Sequence, residues 1–176
     1  MKKLIIYTLL FAVSFSYSQK KELRNANKFF VSGEYASAID LLESSRETFD
    51  SSDDKIKSQA MLLYGKIHTA MQDFDLAMQA FDMSRNFGMS IQLLDPEINK
   101  LETAIITSAV GDNETEDFAS AAKKLKMVYD LKKDVNQEYL YYAASSAVNS
   151  QDFSLALQYY EELRDIKYEG IETKFY

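Results

Sequence analysis

The chain predicts an all-α fold, an α-solenoid of about four antiparallel helix pairs, on three observations. Breakers are scarce, with one proline and five glycines in 176 residues of which 47% are hydrophobic and 27% charged. That is a globular, mostly helical composition. An aromatic-x-x-Ala motif recurs at Tyr35/Ala38, Phe74/Ala77, Phe118/Ala121 and Phe153/Ala156, the aromatics lying 39, 44 and 35 residues apart. A period of this size marks stacked supersecondary units. Apolar residues at helical spacing flank the copies, as in Phe74, Ala77, Met78 and Phe81 downstream and "SQAMLLYGKIHTAM" (58–71) upstream.

The first segment, residues 1–18, has the make-up of a secretory signal. Lys2 and Lys3 precede an apolar run from Leu4 to Phe15, and Ser16-Tyr17-Ser18 closes it with small residues. Twelve apolar residues are too few to span a bilayer, which takes about 20. Cleavage is expected between Ser18 and Gln19, giving a product exported to the periplasm or associated with the outer envelope. No cysteine occurs anywhere, so a Cys-anchored lipoprotein, disulfides and Cys-based zinc sites or nucleophiles are all excluded. Removing Lys2 and Lys3 takes the side-chain charge from −7 to −9. An acidic balance disfavours nucleic acid as a partner, because phosphate neutralisation needs clustered Lys and Arg. After signal cleavage no segment approaches membrane-spanning length.

The repeat domain is expected over 19–168, in units of about 20–48, 55–87, 96–131 and 135–167. Each motif follows an acid (Glu34, Asp73, Asp117 or Asp152) that can cap the second helix of its pair. Tight turns are read at "SGEY" (32–35), "MQDF" (71–74) and "NSQDF" (149–153), and a longer acidic loop at "GDNETEDF" (111–118). "DSSDD" (50–54) and "NFGMSIQLLDP" (86–96) read as connections between units. Asp95-Pro96-Glu97 reads as a helix start with Asp as cap and Pro in the first turn. In the fourth unit "QEYLYYAASSAVN" (137–149) supplies the first helix. Residues 169–176 form a tail or the start of a further region. Its alternation of Ile171, Phe175 and Tyr176 with polar residues is not that of a capping helix. The expectation is therefore an N-terminal fragment of a longer chain, or self-association through the last repeat.

These residues resemble the tetratricopeptide repeat family over about 20–167. The second unit gives Met61, Tyr64-Gly65, His68, Phe74, Ala77 and Phe81, and the fourth gives Leu140, Ala143-Ala144, Ala147, Phe153, Ala156 and Tyr160. The first supplies Ala26, Phe29, Gly33, Tyr35, Ala38 and Leu42, the third only Phe118, Ala121 and Leu125, and the closing proline of the family is missing throughout. The resemblance implies a right-handed superhelix in which small residues allow close helix approach and large aromatics fill the space between pairs. It also implies a concave groove lined by the first helices. By offset from the motifs, Leu23, Asn27 and Phe30, then Leu62, Lys66 and Thr69, then Tyr141, Ser145 and Val148 should face it. A subset of the family grips carboxylate tails with a Lys/Asn/Arg clamp. Here Leu23 stands at the clamp Lys place and Gln59 at another, and only Asn27 fits.

No enzyme signature accompanies the repeat. His68, the one histidine, has no partner set and falls where the family has a core aromatic. Asp112, Glu114 and Glu116 alternate, but no sharp-turn Gly or closing Glu makes a calcium loop of them. Neither a cofactor nor a metal is expected. The sequence points to a non-enzymatic scaffold or adaptor that binds a peptide or protein. Two rivals are a small-ligand or glycan-binding component of an uptake system and a helical accessory domain of a larger enzyme or signalling protein.

Overall fold

The structure is a computed structural model, and it describes residues 19–170. The expected signal segment 1–18 and residues 171–176 of the tail lie outside the described residues. Among the described residues there are nine helices and no strand. They are α1 (19–31), α2 (Tyr35–Ser44), α3 (Arg46–Asp50), α4 (Asp54–Met71), α5 (Phe74–Asn86), α6 (Ile91–Glu114), α7 (Phe118–Leu131), α8 (Gln137–Asn149) and α9 (Phe153–Asp165). The chain divides within α6 into two compact units, one ending at Ile98 and one beginning at Asn99.

One turn geometry is used again and again. Gly33, Gln72, Glu116 and Gln151 adopt φ of 79°, 64°, 63° and 64°, within two residues of the ends of α1, α4, α6 and α8. In each case the N–H of the left-handed residue donates to the carbonyl three residues back, and the next N–H donates to the carbonyl five back. This is the Schellman closure, which satisfies the orphan carbonyls at a helix end. The acids that follow share one backbone state, φ/ψ −85°/62° at Glu34, −85°/69° at Asp73, −79°/63° at Asp117 and −84°/75° at Asp152. Their carbonyls accept the first helical bond from the N–H of Ala38, Ala77, Ala121 and Ala156, at 2.9–3.0 Å. All four alanines are buried. The recurring acid and alanine are thus the two ends of the first turn of each second helix, and α2, α5, α7 and α9 start at the motif aromatics. Gly88 and Lys167 close α5 and α9 in the same way, at φ 87° and 55°.

Side-chain capping by these acids is only half realised. Asp117 and Asp152 accept from the N–H of Ser120 and Leu155, at 3.2 and 3.0 Å. Glu34 and Asp73 make no such bond. The longer Glu34 side chain overshoots the geometry a cap needs, and the Asp73 carboxylate turns back toward His68.

Three boundary expectations are corrected. Helix α6 begins at Ile91, not at Asp95-Pro96-Glu97, and carries Pro96 inside it. The fully buried Leu94 and buried Ile98 anchor the turns on either side of the proline, whose fixed φ suits a helix even though one N–H is lost. "GDNETEDF" is not a long acidic loop, because α6 runs on to Glu114 and leaves only three residues before α7. The connections "DSSDD" and "NFGMSIQLLDP" shrink to 51–53 and 87–90, with the short helix α3 in front of the first.

In the first unit Ala26, Ala38, Leu42, Phe49, Ile56, Ala60, Leu63 and Ile67 form one core cluster. Gly65 sits where a Cβ would overlap the Phe81 ring, so α4 and α5 approach closely only because that side chain is missing. The hydroxyl of Ser84 on α5 donates to the Ser58 carbonyl on α4 at 2.7 Å, within the same interface. In the second unit Ala109, Leu125, Tyr129, Leu140, Ala143, Ala144, Tyr159 and Leu163 form the main cluster. Asn136 bridges Glu102 and the Val128 carbonyl at 2.8 and 2.9 Å, and Lys132 also pairs with Glu102. The expectation that each motif aromatic fills a gap fails in one place. Phe74 is 5% exposed, but Phe153 is 66% exposed because no described helix lies against that side of α9.

Candidate functional site

Helix α4 carries the candidate site. The Asp53 carboxylate caps it by accepting from the Ile56 N–H at 2.8 Å, and Gln72 closes it. At about 100° per residue, positions 59, 62 and 66 fall on one side of the helix and 61, 64 and 68 on the opposite side. The buried Ala60, Leu63 and Ile67 lie between them and fix the rotation of the helix. Each of the two sides opens onto a cavity of the first unit.

The first cavity is a cleft of about 270 Å³ between α1 and α4. Leu23, Arg24 and Asn27 line it from α1, and Gln59, Leu62, Leu63 and Lys66 from α4. Four residues expected from sequence, Leu23, Asn27, Leu62 and Lys66, therefore meet in one place. Phe30, one turn further along α1, joins them through Lys66, whose Nζ stands 5.3 Å from the ring centroid and 3.7 Å from a Glu97 carboxylate oxygen. Thr69 continues the same α4 face, but its hydroxyl donates to the Gly65 carbonyl at 2.7 Å and is committed to the helix. Arg24 and Leu63 were not foreseen as lining. Arg24 had a readable signal, since it adjoins Leu23 on a helix whose Leu23/Asn27 face was already identified.

The cleft offers cations at Arg24 and Lys66, amides at Asn27 and Gln59, and leucines as its floor. Amides and cations can hold carbonyl or carboxylate oxygens. The lining holds no carboxylate, histidine or hydroxyl that would serve as base or nucleophile.

The second cavity, about 260 Å³, lies on the other side of α4 and is bounded by α2, α3, α4 and α5. Tyr64 donates its hydroxyl to a Glu43 carboxylate oxygen at 2.8 Å. Burial and that bond push the Tyr64 hydroxyl well above the ordinary tyrosine range. His68 stacks on Tyr64, ring centroids 6.0 Å apart and planes 10° from parallel, with Nδ1 3.5 Å from an Asp73 oxygen. The histidine thus occupies an aromatic packing position on the Tyr64 side.

In the second unit the three expected residues have different surroundings. Tyr141 makes ring contacts with Tyr142, Tyr160 and Tyr168 at 6.0, 6.4 and 6.5 Å, so it packs between α8 and α9. Ser145 returns its hydroxyl to the Tyr141 carbonyl at 3.0 Å. Val148 is exposed. Asp112, of the acidic run, is paired with Lys124 at 2.7 Å.

Among the described residues no group of three or more His, Asp or Glu side chains is placed to hold a metal ion. Among the same residues no helix is long and apolar enough to cross a membrane. Compared with family models, curated proteins and solved structures, the chain finds no match in any of the three.

Proposed function

We propose that this chain is a non-enzymatic protein-interaction scaffold of the tetratricopeptide type, whose helix pairs stack as a right-handed solenoid and whose first helices bind a peptide or protein. The observation that carries this reading is the cleft between α1 and α4, where Leu23, Asn27, Leu62 and Lys66 converge. Its amides and cations suit the carbonyl groups of an extended segment, and its leucines suit an apolar side chain between them. The four identical helix–turn–helix closures support the repeat reading, because they turn each pair by the same backbone route.

The signal-like start supports export to the periplasm or outer envelope, with no cofactor and no nucleic acid among the partners. The exposed Phe153 and Leu157 on α9 support self-association through the last repeat.

Site-specific photocross-linking tests the proposal. A photoreactive residue at position 62, introduced into the exported chain, should capture a protein. The same label at the solvent-exposed Lys133 should not, and Lys66→Glu should abolish the product from position 62. Identical products from both positions, or capture of small molecules alone, would overturn the reading.

A further inference from the structure

The second cavity has chemistry opposite to that of the cleft. Its floor is apolar, made by Ile39, Leu42, Phe49, Met61 and Ala80. Two further lining residues, Leu76 and Met83, are 48% and 44% exposed at its edge. They stand seven residues apart on α5, with Gln79 and Ala80 between them at the intermediate helical positions. Leu76 and Met83 thus form an apolar edge that adjoins the Phe74/Ala77/Ala80/Phe81/Ser84 face that α5 buries, with Ala80 common to both. An aliphatic stripe left open beside a preformed apolar hollow is a surface that lacks its counterpart within the unit.

The lining also carries charge, Glu43 and Asp50 against Arg46, with the His68 ring from α4 beside them. Helices α2, α3 and α5 carry four more exposed acids, Asp40, Glu47, Asp75 and Asp82, and one more arginine, Arg85, while on the same side of α4 Lys57 is paired with Asp54. Both arginines are already engaged: Arg46 spans Glu43 and Asp50 at 3.7 and 3.9 Å, and Arg85 pairs with Asp82 at 2.7 Å. Glu43 is held at the cavity edge by the Tyr64 hydroxyl. Asp75 and Asp82 each precede a residue of the apolar stripe, so an acidic row runs beside it along α5. The Arg46 contacts are long and solvent-exposed, so incoming cations can replace them at little cost.

We propose that this cavity is a second docking site, on the opposite side of α4 from the cleft, for a basic amphipathic helix of a partner protein that inserts one large apolar side chain. The volume suits that anchor: a cavity of about 150 Å³ accommodates a benzene-sized group, and 260 Å³ leaves room for a Phe or Met side chain as it enters. Lysines or arginines flanking the anchor would meet Glu43, Asp50, Asp75 and Asp82. An acidic segment or an anionic amphiphile would meet Glu43 and Asp50 in the lining, with Arg46 the one arginine beside them, and the acidic row of α5 at the edge. A helix placing its anchors at i, i+3, i+4 and i+7 also matches the spacing of Leu76, Gln79, Ala80 and Met83.

The test uses the full described chain and a fluorescein-labelled helical peptide of leucine and lysine that carries one phenylalanine, with binding read by anisotropy. A counterpart with every lysine replaced by glutamate is the charge control. The lysine peptide should bind at least about tenfold more tightly than the glutamate peptide, with affinity falling as salt is raised. The double variant Leu76→Ser, Met83→Ser keeps the charge and changes only exposed positions, so circular dichroism should be unaltered. It should weaken binding by about tenfold or more, as loss of two apolar contacts does. Glu43→Gln with Asp50→Asn should weaken binding and flatten its salt dependence. Equal binding of the two peptides, no binding of the lysine peptide up to about 1 mM, or full binding by the Leu76/Met83 variant would each overturn the proposal. The last result would mean that the acidic surface attracts any cation without use of the cavity.

Discussion

The hairpins α4–α5 and α8–α9 close alike and then diverge. Gln72 and Gln151 have the same φ of 64°, and Asp73 and Asp152 follow within a few degrees of each other. Past the turn the solutions differ. Helix α4 gives up a side chain at Gly65 to admit the buried Phe81, whereas α8 keeps Ala144 and α9 presents a half-buried Tyr160. Phe74 is covered, while Phe153, at the same place in the motif, faces out. Residues 72–84 and 151–163 share six of thirteen positions, and of these the first Gln, the Asp, the Phe and the Ala belong to the turn and the first helical bond, which are local. Their identity does not fix what lies against the outer side of the hairpin, which is tertiary.

Truncation of the two interface rings should widen that difference most. Phe81→Ala should cost about 3–5 kcal/mol of unfolding free energy by urea denaturation, as expected for a fully buried ring. Tyr160→Ala should cost only about 1–2 kcal/mol, because the ring is partly in water already. Equal losses would mean that the hairpins are packed alike after all.

Alkaline titration should act on both units next, since the Tyr64 hydroxyl of the first is raised as well. Burial, then the Glu162 carboxylate, push the Tyr129 hydroxyl up from 10.0 to about 12. Tyr139 and Tyr159 are also raised, chiefly by burial. A raised folded-state pKa means that folding favours the neutral phenol. Its contribution is complete below the ordinary value and is lost as pH climbs through the folded one. Melting temperature should hold steady up to about pH 10 and then fall toward pH 12. Tyr129→Phe should make the fall shallower. A melting temperature that rises over this interval would refute the burial assigned to these rings.

The smallest contrast lies at the caps. Asp152→Ala should cost about 1 kcal/mol because it removes a bond to the Leu155 N–H. Asp73→Ala, with no cap bond to lose, should cost no more than a few tenths of a kcal/mol. At Asp117 the bonds from Ser120 hold the carboxyl below its ordinary 3.8, so that cap persists above the ordinary value and is lost as pH falls below it. Equal losses at Asp73 and Asp152 would show that backbone closure, and not the side chain, makes the difference.

Much of the local structure was legible because its causes are local. The starts of α2, α5, α7 and α9 at Tyr35, Phe74, Phe118 and Phe153 follow from the acid-aromatic-x-x-Ala motif. The burial of Ala26, Ala38, Ala77, Ala144 and Ala156 follows from their place at close helix approaches. What was misread depended on partners remote in sequence. Pro96 looked like a helix start because its local preference suits a first turn, but burial of Leu94 extends the helix ahead of it. The short helix α3 and the hollow between α2, α3 and α5 left no periodic signal. Of the nine groove residues, Leu23, Asn27, Leu62 and Lys66 came together because their helix faces were read in phase. Tyr141 lies on the boundary between groove and core faces, and Tyr160 and Tyr168 draw it into packing.

Central to this account is that the close approach of each helix pair is set by its small residues, Gly65 on α4 admitting the Phe81 ring of α5. A double-mutant cycle between Gly65 and Phe81 tests it most directly. If Gly65 exists to admit the ring, Gly65→Ala should destabilise the wild-type chain by about 1–2 kcal/mol, overpacking offset in part by better helix propensity. In a Phe81→Leu background the same change should be neutral or stabilising by up to about 1 kcal/mol. An identical cost of Gly65→Ala in both backgrounds would contradict the account.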